Sequence, residues 1–298
     1  MSILRLMSIG LAALILAACS AEEHSLLKVG SNQWPGYEPM FLARDLGFYD
    51  ENRIKLVELP SSTESLHLLH EGTLDAAALT LDEALGAMAG NTSISVVLVF
   101  DVSNGADVIL ASPSILTVQD LKGRKVGVES TAVGAIVLYS ALKKAGLAET
   151  DVELSYLTVD EHVHAYTKGE VDAVVTFEPS KTKLLRQGAH VLFDSREIAG
   201  LIVDVLVVRT DQLNEQMRNI QMLIDGYYKA RQYMREQPDH AMTLMAPRLG
   251  MSPQALRDAY QGLKLPDLSE NQALFSGEPS PFESSANEVL KVMSEAKM

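Results

Sequence analysis

The side chains of this chain that could do chemistry are carboxylates, amides, hydroxyls and aromatic rings set just past short apolar runs. Asn32, Trp34 and Tyr37 follow the run Leu26 to Ser31, and Thr80, Asp82 and Glu83 follow Leu74 to Leu79. Asp101 follows the β-branched run from Ser95 to Phe100, Ser130 and Thr131 follow Lys125 to Val128, and Glu178 ends the stretch that begins at Val171. These residue types suit capture of a small molecule. Carboxylates offer charge-assisted hydrogen bonds to a cation or an N–H-rich group. An indole or phenol can stack on a ring or sit over a cation. Ser-Thr before a helix leaves backbone N–H groups free for an anion or a carbonyl. Each residue also has a plainer role: Trp34 can close a core, Ser130 and Thr131 can cap a helix, and Glu178, next to Pro179, can cap the helix after it.

The same positions carry further acids, Asp107, Glu129 and Asp204, whereas the nearest bases are Lys125 and Lys181. Acidic surroundings favour a donor-rich or cationic partner, so the expected ligand is an amine-bearing or heterocyclic metabolite. Signatures of catalysis are missing: there is no G-x-S-x-G elbow, no P-loop and no H-E-x-x-H helix. His67 and His70 have a spacing that metal ligands can use, and His162 and His164 lie at the corresponding place later in the chain. Those helices are expected to pack outside the sheets, so these histidines are read as surface residues. No catalytic residue, metal or cofactor is expected.

Positioning these residues requires strands that end at one place. The chain contains two copies of one unit, offset by 97 positions: Gly72, Asp75 and Ala76 correspond to Gly169, Asp172 and Ala173. Lys28-Val29-Gly30 corresponds to Lys125-Val126-Gly127 in the same register, with Glu64 on Glu161 and His67 on His164. An offset kept over about 50 residues is the mark of a repeated supersecondary unit. Within each copy, short apolar runs alternate with helical stretches that end at glycine, which predicts parallel sheets with helical crossovers. The fold class is therefore α/β, with two doubly wound lobes. In such sheets ligands bind beyond the carboxyl ends of the strands, where the residues above fall. Segments Asp101–Asp107 and Leu201–Arg209 are expected to cross between lobes. The first lobe comprises 26–104 plus 206–298, and the second 105–205. Beyond Asp211 the pattern is helical, with apolar residues Leu213, Met217, Ile220, Leu223, Ile224 and Tyr228 on one face, and this tail is expected to pack on the first lobe.

The chain has 298 residues, 47% hydrophobic and 21% charged, as a folded globular protein should. Its start differs: Arg5 is followed by a nearly apolar stretch from Leu6 to Ala18, the pattern of a secretory signal too short to span a membrane comfortably. Leu16-Ala17-Ala18-Cys19 resembles the bacterial lipobox, and that resemblance implies removal of residues 1–18 and lipid attachment at Cys19, with 19–25 as a tether. Cys19 is the single cysteine, so no intramolecular disulfide can form. Loss of Arg5 with the leader takes the formal charge from −14 to −15, which argues against nucleic-acid binding.

Taken in order, these features resemble the solute-binding proteins of ABC importers, nearest to the branch that binds nitrate, sulfonates, taurine and thiamine precursors. The resemblance rests on the lipobox and on Gly30-Ser31-Asn32-Gln33-Trp34-Pro35-Gly36-Tyr37 leading into Phe41-Leu42-Ala43-Arg44-Asp45-Leu46-Gly47-Phe48-Tyr49. It also rests on the two Gly-x-x-Asp-Ala strand starts and on Leu121-Lys122-Gly123-Arg124-Lys125-Val126-Gly127-Val128 before Ser130-Thr131. It implies the type II periplasmic-binding-protein fold, a ligand held between two lobes, an ABC permease as partner, a monomer, and a place on the periplasmic side of the cell envelope. A sensing subunit for a membrane receptor needs the same architecture and is the alternative. A fungal thiamine-pyrimidine synthase also resembles this fold, but its cysteine-rich motif has no counterpart here.

Overall fold

A computed structural model describes residues 25–129 and 132–297. Cys19 with the rest of the leader, and Ser130 with Thr131, lie outside the described residues.

The two copies of the repeat build the parallel cores of two mixed sheets. In the first copy β1 (Leu27–Ser31) pairs in parallel with both β2 (Ile54–Glu58) and β3 (Ala76–Thr80). The second copy places β6 (Lys125–Val128) between β7 (Glu153–Tyr156) and β8 (Ala173–Thr176) in the same way. The recurring residues explain the recurrence. Asp75 turns its carboxylate back to accept the backbone N–H of Lys28 at 2.8 Å, and Asp172 accepts that of Lys125 at 2.9 Å. Gly72 and Gly169, at φ of 77° and 70°, supply the left-handed turn just before each. Strands β3 and β8 are buried at every position, so both read as unbroken apolar runs.

Antiparallel strands complete each sheet. The first has the order β11-β4-β10-β3-β1-β2, with β4 at Ile94–Ser103, β10 at Val203–Arg209 and β11 at Leu263–Lys264. The second has the order β7-β6-β8-β5-β9, with β5 at Val108–Ala111 and β9 at His190–Asp194. The crossings differ from the sequence expectation. Strand β4 stays in the first sheet through Ser103 and all of β10 lies there, so the chain passes between lobes at 104–107 and at 195–202. The Ser195 hydroxyl ties the two passages together: it lies 2.7 Å from the Ser103 hydroxyl and accepts the Gly105 N–H at 2.6 Å.

Helices cover the first sheet, among them α1 (Glu38–Asp45), α2 (Ser62–His70) and α3 (Leu81–Ala89), while α4 (Ala132–Lys144), α5 (His162–Thr167) and α6 (Ser180–Arg186) belong to the second lobe. The tail runs through α7 (Leu213–Glu236), α8 (Pro238–Met245), α9 (Pro253–Ala259), α10 (Leu268–Leu274) and α11 (Pro281–Ala296). Helix α7 lies along α1, and the tail residue Arg248 pairs with buried Glu38 and sets its guanidinium 3.5 Å above the Phe41 ring. The last helix reaches further than the first lobe. It packs on both α3 and α4, and Glu295 accepts from Lys143 at 2.7 Å.

Candidate functional site

Where the carboxyl ends of β3 and β4 meet the start of β10, pairing sets Thr80, Asp204 and Asp101 side by side across three neighbouring strands. Two carboxyls in such a row repel unless a proton or a cation lies between them. Both are buried, Asp101 at 0% and Asp204 at 3% exposure, and burial first, then neighbouring charge, drives their pKa values upward. The loop after β1 answers each acid with an aromatic donor. The Trp34 indole N–H donates to Asp101 Oδ2 at 3.1 Å, and the Tyr37 hydroxyl donates to Asp204 Oδ1. Gly36 makes this approach possible, because a Cβ there would fall 1.7 Å from Asp101 Oδ2.

The tail holds that loop in place. Tyr260 donates to the Pro35 carbonyl at 2.7 Å, and Gln33 donates to the Arg248 carbonyl at 2.9 Å. Behind the loop, Tyr37 rests on Phe100 with ring centroids 5.2 Å apart, and Phe100 rests on Tyr227 at 5.4 Å. The tail, expected to pack on the first lobe, also positions the site.

Across the cleft, Phe177 follows β8 and meets Trp34 edge to face at 5.4 Å. Thr63 in α2 donates to Glu129 Oε1, beyond β6, at 3.1 Å. The lobes are thus closed on one another. Among the described residues, two small adjoining compartments lie here. The first, about 20 Å³, is walled by Asn32, Trp34, Tyr37, Ser62, Thr80, Asp107, Val133, Phe177 and Asp204. The second, about 10 Å³, shares Asp107, Val133 and Phe177 and adds Glu129, Gly134, Val137, His162, Val175 and Thr176. Volumes of this size admit a water molecule or a group of similar size such as an ammonium, and its entry requires the lobes to part.

Of the residues expected from sequence, Asn32, Trp34, Tyr37 and Thr80 come together in the first wall. Asp82, Glu83 and Asp101 are buried just behind it, and Glu83 Oε2 accepts the Thr80 N–H at 2.9 Å as part of a capping box. Glu178 is in neither wall: its Oε2 accepts the Thr182 N–H at 3.1 Å in the first turn of α6. Ser62, Val133 and His162 were missed as lining residues. His162 needs a correction, since it is 1% exposed and not on the surface. It begins α5 and stands over the strand ends beside Glu129 and Thr176. His164 is exposed, and His67 and His70 meet Glu71 and Thr92 at the surface.

The walls are acidic, and burial sets their protonation. It raises Asp107 to about 6 and Glu129 to about 7, and at Asp82 burial, followed by the charge of neighbouring Glu83, acts in the same direction. Lys181 offsets part of this at Asp107, from its position donating to the Gly105 carbonyl at 3.0 Å. Buried oxygens of Asn32, Thr80, Asp107, Glu129 and Asp204 have no hydrogen-bond partner among the described residues. Such groups are costly to bury unsatisfied, and what would satisfy the carboxylates is a donor or a cation.

Comparison with known proteins places this architecture. An aliphatic sulfonates-binding protein of Escherichia coli (strain K12) is 29% identical over 206 residues, 68% of this chain and 64% of that relative, so the match spans just under two thirds of the relative's length. The alkanesulfonate-binding protein SsuA from Xanthomonas axonopodis pv. citri, solved bound to MOPS, superposes with a TM-score of 0.76 at 17% identity, covering 93% of this chain and 95% of that one. The ligand-binding component of an ABC-type import system from Staphylococcus aureus, solved with zinc, gives a TM-score of 0.75 at 14% identity, covering 91% of each chain. The fold is that of the periplasmic binding proteins. Residues 20–247 match the NMT1-like family, and the chain belongs to it.

Proposed function

We propose that this chain is an extracytoplasmic solute-binding lipoprotein, anchored through Cys19 on the periplasmic side of a bacterial envelope, that captures a small amine-bearing ligand between its lobes and delivers it to an ABC importer. The observation that carries this reading is the closed cleft walled by carboxyls, Asp107 and Asp204, each with an oxygen that lacks a partner among the described residues. A protonated amine entering it gains charge-assisted hydrogen bonds, each contributing roughly 1.5–3 kcal/mol. The edge-to-face Trp34–Phe177 contact spans both lobes and gives closure an apolar seam.

An aliphatic sulfonate is the second reading, favoured by the names of the relatives and by Ser62, which stands at the start of α2 in the first wall. The two are separable by thermal shift with amines, pyrimidines, sulfonates, nitrate and bicarbonate. Stabilisation by amines or aminopyrimidines supports the proposal, and stabilisation by sulfonates or nitrate alone overturns it. Lipid anchoring has its own test: Cys19→Ser should yield a precursor that is neither lipidated nor normally processed. A wild-type N-terminal peptide without lipid mass contradicts the anchor.

A further inference from the structure

The second compartment has a chemistry of its own. His162 sits in its wall at 1% exposure, with Nδ1 3.1 Å from the Thr176 hydroxyl and Nε2 without a partner among the described residues. A neutral imidazole that donates from Nδ1 to the Thr176 hydroxyl presents Nε2 as an acceptor. Glu129 Oε2 and Asp107 Oδ2, in the same wall, are also buried without partners among the described residues. The remaining side chains there are mainly apolar, namely Val133, Val137, Val175 and Phe177. Three polar atoms without a partner among the described residues, two of them carboxyl oxygens, therefore face a compartment that adjoins the first one through Asp107.

We propose that this compartment is a second recognition subsite, with His162, Glu129 and Asp107 accepting hydrogen bonds from a second N–H-rich group of the ligand. The ligand class is then a short two-ended donor, a diamine or an aminoamidine, with one end against Asp204 and Asp107 and the other against His162. The inference rests on the amine reading above but goes beyond it, because a monoamine would leave the second set of acceptors unsatisfied. Burial holds the imidazole neutral, with its pKa lowered to about 4, so it keeps its acceptor lone pair at neutral pH.

The test is calorimetry on the folded chain with 1,2-diaminoethane, 1,3-diaminopropane and 1,4-diaminobutane, each beside the monoamine of equal carbon number, and with butane-1-sulfonate as the anionic control. At least one diamine should bind about tenfold or more tighter than its monoamine, a difference of about 1.4 kcal/mol. His162→Leu and, independently, Glu129→Gln should collapse that ratio towards one. Equal affinity of every diamine and its monoamine overturns the subsite while leaving the amine reading intact. Binding of the sulfonate with no amine bound overturns both. A diamine advantage that survives both substitutions overturns the assignment to these residues, and the wild-type comparison stands even where one variant fails to fold.

Discussion

At the residue scale the cleft is a set of buried acids whose cost the fold accepts. Asp82, Asp101, Asp107, Glu129 and Asp204 have folded-state pKa values raised above their usual values near 4. Between about pH 4 and those raised values the native chain holds more protons than the unfolded one, so stability falls as pH climbs through the 6–7 region where Asp107 and Glu129 titrate. His162 works the other way, since its lowered pKa adds stability from about pH 4 to 6.5, but it is one group against five. Surface acids with lowered values, such as Asp120 and Asp151, act below that window. The melting temperature of the unliganded protein should therefore be higher at pH 5 than at pH 8, as read by calorimetry; a rise from pH 5 to pH 8 would contradict the burial. Asp107→Asn removes one such acid from both walls. It should shrink that fall and weaken amine binding about tenfold, whereas unchanged affinity would remove Asp107 from the site.

At the element scale the repeat was legible because it is written in residues that fix strand starts. The Gly-x-x-Asp-Ala motif encodes a left-handed turn and a carboxylate that caps the neighbouring strand, and both are local. Asp172→Ala should lose that bond and destabilise the protein by about 1–2 kcal/mol in urea unfolding, with no loss expected if the carboxylate is solvated instead. What could not be read depended on tertiary placement. Strand β5 is four residues long and follows directly on a crossing, so its apolar run carried no periodicity of its own. Strand β9 is a short edge strand with a half-exposed pattern. His162 looked external because helix periodicity says nothing about a first residue overhanging a sheet. Glu178 was ambiguous from sequence, and its contact with Thr182 is that of a cap. The reach of α11 across both lobes depends on the closed arrangement, which no local pattern encodes.

At the scale of the whole molecule, closure joins the repeat to its function. Two passages stitched by Ser195, the Trp34–Phe177 contact and the Thr63–Glu129 bond define the closed form, and ligand entry requires opening at those contacts. Trp34 is the single tryptophan and is 4% exposed in this form. Its fluorescence should shift to the blue on ligand binding while small-angle scattering shows modest compaction. An unchanged spectrum and profile at saturation would mean that binding does not close the lobes.

The central claim, that a closed acidic cleft takes a cation, is tested most directly by potentiometric titration in unbuffered solution near pH 7. Carboxyls with raised pKa values must give up protons when a protonated amine replaces them, so addition of the amine that binds should release protons, on the order of one per ligand bound. Proton uptake, or no exchange on saturable binding, would contradict the account.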